Sequence, residues 1–190
     1  MQGTTLPQRP KRALLVSAAL FFVAYLLFLL IWIPVKDYYG EAVTFIASKA
    51  AAGVKDLRFE TMTREKDTIE ASFSPLGRAS DMVIGIPVKT SSYTFNAPLT
   101  FAIAAALWMW LRRRVRAFAE AAAILLAVHF LYVFSLEVKQ LTDVFIERGL
   151  ESSQTVGVVL YQFLWSFTDN MVIRFEPFLI GFYMYVRFRR

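Results

Sequence analysis

The sequence predicts an α-helical membrane protein with four transmembrane helices and a small α+β extracytoplasmic domain between the first and the second. Three observations predict it. Of the 190 residues, 57% are hydrophobic and the mean hydropathy is +0.47, more apolar than a water-facing domain of this length can be. The charged residues cluster at the ends of long apolar runs. Once the spans are drawn, the basic clusters all fall on one side of the bilayer. The formal charge of +6 therefore does not point to nucleic acid, because the basic excess flanks apolar runs. The chain has no cysteine, which removes disulfides, thiolate nucleophiles and cysteine metal sites, and its single histidine leaves no histidine-built metal site. No metal and no cofactor is expected.

Residues 1–12 form a basic N-terminus carrying Arg9, Lys11 and Arg12. The first span is 13–33, interrupted only by Ser17 and Tyr25, and about 20 apolar helical residues cover the hydrocarbon core. It ends in Ile31, Trp32, Ile33 and Pro34 and is longer than the apolar region of a signal peptide, so it reads as a retained anchor. Residues 34–94 form the outer α+β domain. Tyr39, Val43, Ile46 and Ala50 recur at helical spacing, which predicts an amphipathic helix over 37–52 that stops near Gly53. Alternation through Leu57, Phe59 and Thr61, a polar turn over 64–67, and alternation at Ile69, Ala71 and Phe73 predict a β-hairpin. Further strands are expected over 82–86 and 88–95, broken at Pro87. A sheet this small needs a cover for its apolar face, and the amphipathic helix or the membrane surface could supply it.

The second span is 95–111, with Trp108 and Trp110 near its end. A basic turn, 112–116, joins it to the third span, 117–136, as a helical hairpin. Residues 137–169 are a periplasmic or re-entrant helical segment. The fourth span is 170–186, followed by a cytoplasmic tail, 187–190. The stretch 156–186 is too short for two spans of about 20 residues and a turn. Two spans there would also put the final arginines outside. With four spans, segments 1–12, 112–116 and 187–190 lie inside and hold ten Lys or Arg and no Asp or Glu. Both termini are then cytoplasmic.

Candidate functional residues are the polar groups in or near the spans. His129 lies well inside the third span, and an ionisable group there marks a functional site or an interhelical hydrogen bond. Helical spacing puts His129, Tyr132, Leu136, Gln140 and Asp143 on one stripe, and Lys139 can pair with Asp143. Glu120 lies one turn from Arg116 and is explained by that pair. Pro177 frees the carbonyl of Ile173 and predicts a kink. Arg174 and Glu176 lie about 200° apart on a helix, so each needs a partner elsewhere. Asp169, Glu176 and Tyr183 share a face. These groups form either a polar groove near the outer leaflet or a buried network that fixes packing. Ala119, Ala123 and Ala127 recur at the four-residue spacing that lets helices approach, and are read as packing positions. No nucleophile, base and orienter can be assembled, so no catalytic residue is assigned and a non-enzymatic role is favoured.

Short stretches resemble a known family. Tyr93-Thr94-Phe95-Asn96-Ala97-Pro98-Leu99 enters the second span. Phe134 to Phe145, with Lys139-Gln140-Leu141, follows the third, and Tyr161-Gln162-Phe163 precedes the last. These, with the overall layout, resemble the exosortase H-associated membrane proteins, small multi-pass proteins encoded beside bacterial exosortases. Arg174-Phe175-Glu176-Pro177 is more charged than that pattern leads one to expect. Exosortases use a cysteine nucleophile, which this chain lacks. The resemblance therefore implies an accessory or assembly subunit of a protein-sorting system in the inner membrane of a Gram-negative bacterium, acting through helix and periplasmic-domain contacts. The expected partners are the lipid bilayer and an exosortase-like membrane protein or further copies of the chain. Two other readings stay open: a small oligomeric transporter or channel subunit, and a membrane enzyme using His129 and Glu176 as acid–base groups.

Overall fold

The structure is a computed structural model that describes residues 9–76, 82–111, 114–153 and 155–189. It is mostly helical, with a three-stranded sheet and, among the described residues, three helices long and apolar enough to cross a membrane.

Helix α1 runs Arg9–Val54, 46 residues with Pro34 inside it, or about 69 Å at 1.5 Å per residue. The expected first span and the expected amphipathic helix are therefore one rod. Its two halves differ in surroundings. The most apolar window of the N-terminal half is unburied, with Leu15, Phe22, Val23, Leu26 and Leu30 all exposed. Beyond Pro34 the helix buries one stripe, Val43, Thr44, Ala47, Ser48 and Ala51. The expected stripe is rotated, because Ile46 points outward while small residues face the neighbouring elements. Asp56, at φ 51°, turns the chain out of α1.

Strands β1 (Leu57–Glu65), β2 (Thr68–Pro75) and β3 (Ile84–Lys89) form an antiparallel sheet in that order. Glu65 pairs with Thr68 across a two-residue turn, and Lys66 takes φ 54° there, as tight hairpins require. Among the described residues one strand, not two, follows the hairpin. Pro87 sits within β3, which is an edge strand and tolerates a missing N–H. The expected strand over 88–95 gives way to helix α2, Ser91–Thr94. Asp67 draws the chain into it: Oδ1 accepts from the Thr90 hydroxyl (2.9 Å) and the Ser91 N–H (3.1 Å), and the Ser91 hydroxyl donates to the other oxygen. Leu57, Ala71, Phe73, Ile84 and Ile86 pack under Ala51 and Ala52 of α1 and under Val138 and Leu141 further along the chain. Helices, not the membrane, thus cover the sheet.

Helix α3, Asn96–Ala106, has 11 residues, about 16 Å, where the sequence predicts a full span over 95–111. The chain continues through a turn to Leu111, which bridges to Arg189. Helix α4, Arg114–Glu147, is a single 34-residue rod that joins the third expected span to the outer helical segment. It closes with Leu150 N–H to Phe145 O (2.8 Å), Gly149 N–H to Ile146 O (2.9 Å) and Gly149 at φ 68°, the Schellman arrangement. Helix α5, Val156–Phe167, a π-turn at Thr168–Val172, and helix α6, Ile173–Phe188, form one continuous helix. The segment before the last expected span is therefore part of the same helix. Ala97 and Ala104 of α3, Ala117, Ala121 and Leu125 of α4, and Ile180, Met184 and Phe188 of α6 make the core between these helices.

Candidate functional site

Pro177 has no N–H, so the carbonyl of Ile173 lacks its helical donor. One turn earlier the π-turn shifts the bonding, and the Ile173 N–H reaches back to the Thr168 carbonyl. The disturbed stretch of helix therefore needs an outside partner, and Asn96 supplies it. Its Nδ2 donates to the Ile173 carbonyl at 2.6 Å and to Oε2 of Glu176 at 3.0 Å. Asn96 is held there because it opens α3, with Pro98 in the first turn, where a missing N–H costs nothing.

Glu176 and His129 are both buried. Nε2 of His129 lies 3.1 Å from Oε2 of Glu176, and Nδ1 lies 2.7 Å from the Tyr39 hydroxyl. A carboxylate only accepts, so an ionised Glu176 takes its bond from Nε2–H, and Nδ1 pairs with the Tyr39 hydroxyl. Tyr39, His129, Glu176 and Asn96 then form one hydrogen-bonded chain that ties α1, α4, α6 and α3 together. Rings close it off: Tyr93 meets the imidazole edge-on at 5.2 Å and Tyr39 at 5.6 Å. Pairing both ring nitrogens is how a fold keeps an imidazole out of water at low cost. One atom is left over. Oε1 of Glu176 is buried and, among the described residues, has no hydrogen-bond partner. Glu176 lines a groove of about 250 Å³ whose other walls are Ile124 and Val128 of α4 and Val172, Leu179, Ile180 and Tyr183 of the last helix.

The remaining candidates lie elsewhere. Gln140 is half-buried farther along α4, and Asp143 pairs with Lys139 at 2.6 Å. Asp169 is half-buried in the π-turn. Arg174 is exposed and, among the described residues, makes no ion pair or hydrogen bond. Of the six candidate binding residues, the fold brings together only His129 and Glu176. Pro177 is buried. Ala119, Ala123 and Ala127 are all exposed, on the outer face of α4. The alanines that let α4 close on its neighbours are Ala117 and Ala121, because the α4 face toward the core is set by Leu125, His129 and Tyr132. Glu120 pairs with Arg116 (2.9 Å) and Arg187 (2.9 Å), and the Tyr183 hydroxyl donates to it at 2.7 Å.

Sequence reasoning missed Tyr39, Tyr93 and Asn96. The signal for Asn96 was available: a freed carbonyl at Ile173 demands a donor, and Asn96 is an amide beside an apolar run. A second buried carboxylate was also missed. Glu137 accepts from the Ser48 hydroxyl at 2.6 Å, while its other oxygen has no partner among the described residues. Among the described residues, no three His, Cys, Asp or Glu side chains come together as a metal site.

No curated protein and no solved structure was found to match this chain. A family model described as exosortase H-associated membrane protein matches residues 8–188. That match runs through every element described above, from the first helix to the last, and by it the chain belongs to the exosortase H-associated membrane protein family.

Proposed function

We propose that the chain is a non-enzymatic accessory subunit of a bacterial inner-membrane protein-sorting system, assembled with an exosortase by helix and periplasmic-domain contacts. In this reading the chain crosses the bilayer four times, with α3 and the turn to Leu111 making the second crossing. Both termini face the cytoplasm and the sheet faces the periplasm. The observation that carries the role is how the polar groups are used. His129, Asn96 and Tyr39 are spent on one another inside the bundle, while the outer surface of the long helices is apolar. A structure of that kind holds helices in place and offers them to lipid or to a partner.

The test is gentle extraction of the tagged chain co-expressed with the exosortase of its own genome. Stoichiometric recovery of the exosortase supports the role, and its absence in every detergent tried rejects it. A second reading rests on one observation: Tyr39, His129 and Glu176 are in line as hydroxyl, imidazole and carboxylate. That is the form of a proton relay in a transporter or an acid–base enzyme. It predicts that His129→Ala abolishes activity in a chain that still folds and still binds its partner.

A further inference from the structure

The outward side of the last helix is apolar from α5 into α6, and lipid can reach only part of it. Val156, Val159, Leu160, Phe163 and Phe167 of α5 are all exposed, Phe163 at 62%. They recur at helical spacing as one stripe, with the Phe163 and Phe167 rings stacked at 5.9 Å. Met171, Phe175, Phe178 and Phe182 are exposed below them. From Val156 to Phe182 the helix rises about 39 Å, against about 30 Å of hydrocarbon. The upper part of the stripe stands beside the sheet. Tyr161 packs on the sheet core, and the Lys55 ammonium lies 4.8 Å from its ring. Lys55 follows the last residue of α1, about 30 Å along that helix from Pro34. With the sheet in the periplasm, as in the reading above, α5 stands clear of the bilayer and its apolar face meets water. A contiguous face of that kind marks an interaction site.

One edge of the stripe is polar. Gln162, Ser166, Asn170 and Arg174 follow at four-residue steps and all are exposed, so they run as a ribbon down one side of the helix. Asn170 Nδ2 donates to the Ser166 carbonyl at 3.0 Å. Arg174 lies one turn from the outer end of the span, where a long side chain reaches the interface. We propose that a helix of a second membrane protein lies along this face and continues out of the bilayer beside α5. Its seam is apolar where it meets Leu160, Phe163 and Phe167, and it carries a carboxylate or amide acceptor beside Asn170 and Arg174. The inference rests on the accessory reading, by which that protein is the exosortase.

Two observations choose this occupant. Lipid hydrocarbon ends below α5, so it cannot cover Val156, Val159, Leu160 or Phe163. A second copy brings the same stripe, but not an acceptor. Copies inserted by one route share one orientation, so a two-fold axis relating them runs along the membrane normal. That axis sets each polar edge against the other copy's opposite edge, which holds the half-buried Leu164 and Val172. Arg174 would then face apolar side chains. A different chain can place an acceptor there.

The chain has no cysteine, so an introduced one reports without background. Full-length Phe163→Cys would be treated in native membranes with a membrane-impermeant thiol reagent, with and without co-expressed exosortase. Labelling is expected in the chain alone and is expected to be lost when the exosortase is present, while Phe178→Cys, inside the bilayer, stays unlabelled in both. In parallel, Phe163→Glu changes an exposed side chain and is expected to lower the recovered exosortase about tenfold at a wild-type unfolding temperature, with recovery kept in Phe163→Leu. No labelling of Phe163→Cys in the chain alone would mean that lipid or a second copy covers the face, and a disulfide-linked dimer of that variant would identify the second copy. Either result overturns the proposal. So does labelling that the exosortase leaves unchanged, or undiminished recovery in Phe163→Glu, and in both of these cases the accessory role stands. Absence of the exosortase from wild-type extracts removes the accessory role and this occupant together.

Discussion

At the scale of single residues, the account turns on groups that cannot be left unpaired. His129→Leu removes one of the two donors to Glu176 and leaves the Tyr39 hydroxyl without its imidazole partner, and each buried polar group left unsatisfied costs about 1–3 kcal/mol. Asn96→Ala removes the donor for the Ile173 carbonyl and should cost about 1–3 kcal/mol. Thermal unfolding in detergent would rank the two, with His129→Leu the more damaging. Asp67 makes a pH prediction outside the membrane. Partial burial works to raise its pKa, but the hydroxyls of Ser91 and Thr90 and the Ser91 N–H prevail and hold it below the usual carboxylate value. A depressed folded value means that its contribution is fully present above the unfolded pKa, about 3.9. It is lost as pH falls through the lower folded value. Asp67→Asn should therefore weaken the sheet domain at neutral pH and flatten its acid dependence, read from proteolysis of the hairpin. The sequence made His129 and Glu176 legible as candidates because ionisable groups stand out in apolar runs. It did not disclose Tyr39 as their partner, because a tyrosine at helical spacing looks the same whether it packs or donates.

At the scale of elements, the helical rods were legible and their joints were not. Apolar runs identify where helices lie, but Pro34 does not stop α1 and the residues before Asn170 do not leave the last helix. Neither proline nor polar residues at these joints interrupt the helix. The hairpin was readable because alternation and a polar turn agree. The third strand was misjudged at Pro87, since an edge position cannot be seen in a single sequence. Gly149→Ala tests the Schellman ending of α4: a Cβ there meets nothing within 4 Å, so the cost is the backbone's alone, about 1 kcal/mol. Ala123→Leu tests the outer face of α4. Ala123 is exposed, so the variant should unfold at the wild-type temperature yet lose assembly with its neighbour. A large drop in unfolding temperature would mean that Ala123 packs inside the chain.

At the scale of the whole molecule, the topology is open to a direct check. With four crossings, a cysteine at Lys66 or Ser152 should react with a membrane-impermeant reagent from outside, and one at Arg113 or the C-terminus should not. External labelling of the C-terminus would contradict the proposed crossing pattern. Overall membrane character was plain from the sequence, because apolar length and flanking charge need no tertiary knowledge. The extent of helix within 95–111 was not, because a short helix and a turn carry the same apolar composition as a longer helix. The central claim is the accessory role, and co-purification tests it most directly. The tagged chain would be extracted gently from cells that also express the exosortase of its own genome, and the recovered complex identified and its stoichiometry measured. The account predicts the exosortase in fixed ratio, retained in His129→Ala if that variant folds and lost in Ala123→Leu. Recovery of this chain without the exosortase under every extraction that keeps both proteins folded would contradict it.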